Sequence, residues 1–237
     1  MVQMLKGVLR MKRYFIFIFL ISFSILSGCG SKSVGETKTV HSYNGWTIVK
    51  VGEIATFQIP PTMEVQSDAY RQKAGDLGIV VNNENIVCQQ KGLNQQEPGP
   101  SNKMQYARVL FVTTPMQPAG PDYGQPLGIS SKDLKNLETL LKQSIIQDES
   151  KVAGNRIKFL HWLPLAVVKI NGIECLHISY ERQLQSNPVV KVDNYKFFNK
   201  DKIHNFTISS RISEKNIWHA QGQDIDNIVN TLRINSR

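Results

Sequence analysis

The sequence predicts an α+β domain, an antiparallel sheet with helices packed against it, and three observations carry that prediction. Leu165-Ala-Val-Val-Lys-Ile joins Ile173–Arg182 through Asn171-Gly172, a dipeptide that supplies the two positive-φ residues of a type I′ hairpin turn. Val189–Phe198 and Ile203–Ile212 flank the turn Asn199-Lys-Asp-Lys. In the second of these runs Phe206, Ile208 and Ile212 share one face, and Asn205, Thr207 and Ser209 share the other. Finally, Ser130–Ile146 and Asp224–Leu232 each carry one apolar stripe at helical spacing: Leu134, Leu137, Leu141 and Ile145 in the first, and Ile225, Ile228, Val229 and Leu232 in the second. Helices with one polar face, next to strands of alternating polarity, bury their stripes on a sheet.

In chain order, Tyr14–Leu26 is an apolar run of 13 residues, roughly 20 Å as a helix. A bilayer core is roughly 30 Å thick, so the run is short for an anchor and suits a signal-peptide core. Lys6, Arg10, Lys12 and Arg13 form a basic region ahead of it without an acidic residue, and Met11 is an alternative start. Leu26-Ser27-Gly28-Cys29 then resembles the lipobox of bacterial lipoproteins. That resemblance implies a diacylglycerol on the Cys29 sulfur, cleavage just before Cys29, and acylation of the new amine. Only a thiol can form the thioether, and small residues before it let the backbone enter the peptidase. Two or three chains hold far more firmly than one, since each buried CH₂ contributes about 0.8 kcal/mol. An uncleaved signal anchor with an incidental cysteine is the alternative. Gly30 stands where an aspartate would resemble an inner-membrane retention signal, which favours an outer-membrane or cell-surface address.

The expected organisation is a signal peptide over 1–28, a lipid-anchored flexible tether over 29–45, polar with little to bury, and a single domain over 46–237. Losing Lys6, Arg10, Lys12 and Arg13 lowers the formal charge from +9 to +5. No block of like charge and no basic run interleaved with aromatics remains, so nucleic acid is not an expected partner.

Within the domain, Trp46–Gly52 and Glu53–Ile59 read as two strands about a turn near Gly52, ended by Pro60-Pro61. Met63–Lys73 is expected as a short helix. Asn85–Gln90 and Ala107–Thr113 are further strands, followed by a proline-rich excursion over Thr114–Gly128. Ser130 and Asp133 form a capping-box-like start to the first helix.

The order of elements resembles the Mog1/PsbP-like fold. It comprises an opening hairpin ending in Phe57-Gln-Ile-Pro-Pro61, the Asn171-Gly172 hairpin, the long Pro188–Arg211 hairpin and a final amphipathic helix ending in Asn-Thr-Leu-Arg-Ile. The resemblance covers roughly Trp46–Ile234 and implies an antiparallel sheet sandwiched by helices. Members of that fold act as accessory or binding proteins, PsbP on a photosystem and Mog1 on a nuclear GTPase. No motif here maps onto their contact surfaces, and a fold does not specify a function.

Motifs that carry chemistry are scarce. The sequence has no Gly-x-Ser-x-Gly, P-loop, His-Glu-x-x-His or Gly-x-Gly-x-x-Gly, so no catalytic residue, metal site or cofactor is expected. His41, His161, His177, His204 and His219 are scattered, and Asp148-Glu149 sits at a helix end. Cys88 and Cys175 leave two readings open, a bridge or two buried thiols. Cys88–Gln96, amide-rich and leaving a strand, is a candidate binding loop through Gln89, Gln90, Lys91 and Asn94. Phe159–Pro164 concentrates aromatic and aliphatic side chains and reads as core packing or as a ligand-facing edge. The function expected is a non-enzymatic, membrane-tethered module binding a protein or envelope component. The alternative is an extracytoplasmic hydrolase with a dispersed site. A two-lobed solute-binding protein is disfavoured by the length.

Overall fold

The computed structural model describes residues 37–38, 42–66, 85–92, 106–153, 156–212 and 225–235. Twelve strands are described: β1 (Thr37–Lys38), β2 (Thr47–Val51), β3 (Ala55–Ile59), β4 (Met63–Val65), β5 (Ile86–Gln90), β6 (Ala107–Pro115), β7 (Ile157–Trp162), β8 (Ala166–Ile170), β9 (Ile173–Leu184), β10 (Val190–Asn199), β11 (Lys202–Arg211) and β12 (Arg233–Ile234). They are joined by one α-helix, α1 (Ser131–Ala153), and a 3₁₀ helix over Ile225–Thr231.

Nine of these strands form one sheet in the order β1-β8-β9-β10-β11-β6-β5-β4, with β7 also on β9, while β12-β3-β2 form a second. Pairing is antiparallel except for β1 on β8. The long hairpins dominate because their turns are prepaid: Asn171 and Gly172 take φ of 50° and 84°, the left-handed pair that a type I′ turn needs. Tyr195, Phe197, Phe206 and Phe111 point from the large sheet toward the small one and are buried. Phe206 meets Phe57 of β3 edge-on at 5.1 Å. Ile225, Ile228, Val229 and Leu232 close the same core. Helix α1 lies on the other face, where Leu134, Leu137, Leu141 and Ile145 pack against Leu165, Leu176 and Ile178.

The fold is thus α+β and mostly antiparallel, and the apolar stripes face where alternation put them. The Ser130 cap forms as read: its hydroxyl accepts from Asp133 N at 3.2 Å and donates to Asp133 Oδ2 at 2.6 Å. Several expectations need correction. Met63–Val65 is a strand on β5 rather than the start of a helix, because Met63, Glu64 and Val65 pair with Gln90, Gln89 and Cys88 and Gln66 N donates to the Val87 carbonyl. Residues 67–73 lie outside the described ones. The closing helix is 3₁₀ and runs into β12, which pairs with β3. Its Ile225/Ile228 spacing suits either helix type. The described residues of the stretch read as a tether meet the domain: Thr37 pairs with Lys169, and Tyr43 stacks on Trp46 at 4.6 Å and donates its N–H to Gln58 Oε1. Among the described residues α1 covers one face of the large sheet, and the other face meets the small sheet and the 3₁₀ helix.

Candidate functional site

The Phe159–Pro164 stretch is built by an interruption in a strand. β7 and β8 both run antiparallel to β9, with Ile157 opposite Leu184 and Ile170 opposite Ile173. They amount to one long strand broken at Leu163-Pro164-Leu165, where Pro164 has no N–H for the ladder. Leu163 N still reaches the Ser179 carbonyl at 3.0 Å, and Leu165 N is taken by Glu138 Oε2 of α1 at 3.2 Å. A register shift between Phe159 and His161 puts Phe159 and Trp162 on the same face, which plain alternation would not. With Tyr180 they form an aromatic trio, Phe159–Trp162 at 5.5 Å and Trp162–Tyr180 at 4.7 Å. Lys142 lies over the Trp162 ring at 5.5 Å. Arg182 donates to Glu149 at 2.7 Å and the Tyr180 hydroxyl to the same carboxylate at 3.4 Å. Burial, then the Glu149 charge, pushes the Tyr180 phenol upward. Beside this trio Leu160 is 50% exposed and Leu163 43%.

A second cluster sits on the opposite face of the sheet. His177 Nε2 bonds Asp193 Oδ1 at 2.9 Å, Lys191 Nζ meets Asp193 Oδ2 at 3.0 Å, and Asp226 lies 3.8 Å from Lys191. The His177 ring stacks on Tyr195 at 4.4 Å. Burial alone would raise the Asp193 carboxyl, but hydrogen bonds from His177, Lys191 and Ser179 and the Lys191 charge hold it below its ordinary value. Burial likewise works against the Lys191 charge, and the two aspartates outweigh it, so its amine is raised. An imidazole oriented by a carboxylate is the base half of a hydrolytic triad. Here Ser179 hydrogen-bonds the carboxylate and not the imidazole.

On the helix-facing side Lys196 Nζ donates to Asn205 Oδ1 at 2.7 Å, and burial lowers its amine to about 8. Ser42, Ile48, Thr56, Gln58, Thr231 and Arg233 line a shallow depression of about 130 Å³ on the small sheet, well below the volume of a typical small-molecule site.

The residues singled out from sequence are scattered. Cys29 lies outside the described residues, as do Asn94, His41 and His219. Gln89 and Gln90 are buried within β5, not on a loop. Gln90 accepts from Ala107 N at 3.1 Å, whereas the Gln89 carboxamide finds no hydrogen-bond partner among the described residues. Among the described residues of the group, Lys91 alone is on an exposed turn, its N–H on the Thr62 carbonyl. Cys88 and Cys175 are not bridged: β10, β11 and β6 lie between their strands, which separates them by roughly 19 Å, too far for a disulfide. Burial pushes the Cys88 thiol up to about 12. His204 is 1% exposed and bonds Thr113 Oγ1 at 2.9 Å. No three His, Cys, Asp or Glu side chains gather as a metal set among the described residues. Asp193 and Lys191 were missed, although a signal was there: both share the inward parity of Tyr195 and Phe197 in β10.

No family model matches the chain, and no curated protein does. Among solved structures, the solution structure of cyanobacterial PsbP (CyanoP) from Synechocystis sp. PCC 6803 is similar over 89% of this chain and 99% of its own, at 10% identity and a TM-score of 0.47. A crystal structure from Bacteroides thetaiotaomicron VPI-5482 is similar over 76% of this chain and 45% of its own, at 7% identity and a TM-score of 0.35. Likenesses at this level carry no argument about activity or partners.

Proposed function

We propose that this chain is an exported lipoprotein, held to a membrane by acyl groups on Cys29, whose Mog1/PsbP-like domain is a non-enzymatic binding or accessory module of the cell envelope. One observation carries the reading: Leu26-Ser27-Gly28-Cys29 follows directly on a 13-residue apolar core with a basic flank. Those features together suit export, cleavage and acylation. Supporting the non-enzymatic half, the polar groups best suited to chemistry are engaged with one another. Asp193 is shared by His177, Lys191 and Ser179, an arrangement that fills the space between sheet and 3₁₀ helix with satisfied charge. Leu160 and Leu163, neighbours at the β7 edge, are among the exposed large apolar residues, a surface that suits contact more than turnover.

The test of the anchor is metabolic labelling with a palmitate analogue beside a Cys29→Ala variant. Label on the native chain, and loss of both label and membrane fraction in the variant, support the reading. Unchanged processing and membrane fraction in Cys29→Ala would refute it. The hydrolase alternative draws on the His177–Asp193 pair, and ester hydrolysis by the purified chain that His177→Gln abolishes would favour it.

A further inference from the structure

We propose that the β7 edge is the membrane-facing side of the domain, with Leu160, Leu163 and the rims of Phe159 and Trp162 seated in the interfacial layer of the bilayer. The proposal rests on the lipid-anchor reading above and adds an orientation to it. The first argument is the path of the chain. β1 pairs parallel with β8, Thr37 opposite Lys169 and Lys38 opposite Ile170. A chain entering a parallel pair comes from the N-terminal end of its partner, here the side of Ala166 and Trp162. Cys29 is eight residues before Thr37, so at most about 28 Å of chain separates them. The distance along the strand from Lys169 back to Trp162 is about 23 Å. The chain between Cys29 and Thr37 is therefore long enough for the anchoring residue to reach the β7 edge.

The second argument is composition. Leucine, phenylalanine and tryptophan beside lysine are the residues that interfacial elements use, with aromatic rings at headgroup level and cations toward anionic lipid. Lys158 is exposed on β7, and Lys142 sits over the Trp162 ring. Glu149 is paired with Arg182 and Glu138 with Lys142, and Glu181, opposite His161, stands beside the exposed Lys158. A strand from a second copy is the competing occupant. The register shift in β7 and its exposed lysine blunt the edge against such pairing.

The experiment uses the mature lipidated protein on phosphatidylcholine/phosphatidylglycerol vesicles, with an environment-sensitive dye placed singly by Leu160→Cys, Leu163→Cys or, as control, Ile48→Cys. Cys88 and Cys175 are buried and leave the introduced thiol as the site of labelling. Ile48 is exposed on the small sheet. The expected result is a blue-shifted emission at positions 160 and 163, quenched by more than half by nitroxide-bearing lipids, and little change at 48. Flotation with the vesicles reads the anchor separately. Protein that floats while positions 160 and 163 are as water-exposed as 48 overturns the orientation alone. Protein that fails to float overturns the anchor and the orientation together. Shielding at 160 that follows protein concentration without vesicles assigns the edge to a second copy and also overturns the proposal.

Discussion

Replacing Asp193 by asparagine removes the charge at the centre of the inward-facing cluster while keeping its size. The carboxylate holds His177 at 2.9 Å and Lys191 at 3.0 Å and is itself 10% exposed. Each hydrogen bond to a charged group contributes about 1.5–3 kcal/mol, and breaking a buried pair costs about 3–5 kcal/mol. Lys191 is 35% exposed, so water recovers part of that loss, and the asparagine oxygen still accepts one bond. The expected loss is about 2–3 kcal/mol at pH 7, roughly 4–12 °C in Tm for a domain of this size. The sign with pH follows from the lowered carboxyl. A depressed folded value stabilises above the unfolded carboxylate pKa of about 3.9 and is lost as pH falls through the folded value. Urea unfolding of wild type and Asp193→Asn should therefore differ at pH 7 and converge as the pH drops below about 4. A gap that stays constant down to pH 2 would refute the electrostatic account of the cluster.

Phe206→Ala should cost about 3–5 kcal/mol, because the ring is fully buried and bridges the two sheets through Phe57; denaturant midpoints read this directly. Ser130→Ala should cost about 1 kcal/mol by removing the acceptor for Asp133 N, with α1 fraying first in hydrogen exchange. Cys88, its thiol pushed up to about 12, should resist alkylation at pH 8 in the folded chain and react once urea unfolds it. Rapid modification of native protein would contradict its placement in the core.

The parts of the fold legible in the sequence are those set by local chemistry. Asn171-Gly172 can hardly do anything but turn, and the alternation through Phe206 and Ile208 assigns faces without knowledge of the partner strand. The stripe through Leu134 and Ile145 behaves likewise on α1. The misreadings come where distant chain decides. Met63–Val65 is a strand because β5 offers it a ladder, and Thr37–Lys38 is ordered because β8 has an open edge to receive it. The 3₁₀ form of the last turn follows from Thr231 Oγ1 bonding the Ile228 carbonyl and from β12 capturing the chain on β3. Neither is written in the spacing of apolar residues. At the candidate site, the apolar richness of Phe159–Pro164 was visible, but the choice between core packing and an exposed edge was not. A register shift and one proline turn part of that stretch outward. The His177–Asp193 pair depends on β9–β10 register, with Asp193 opposite Ser179 and Tyr195 opposite His177. No sequence spacing announces that diagonal contact.

The central claim is that Cys29 is cut before and acylated, and tandem mass spectrometry of the N-terminal peptide of the membrane-extracted protein tests it most directly. The account predicts a chain that begins at Cys29 and carries a diacylglyceryl thioether. A chain retaining residues 1–28, or one with an unmodified Cys29 thiol, would contradict it.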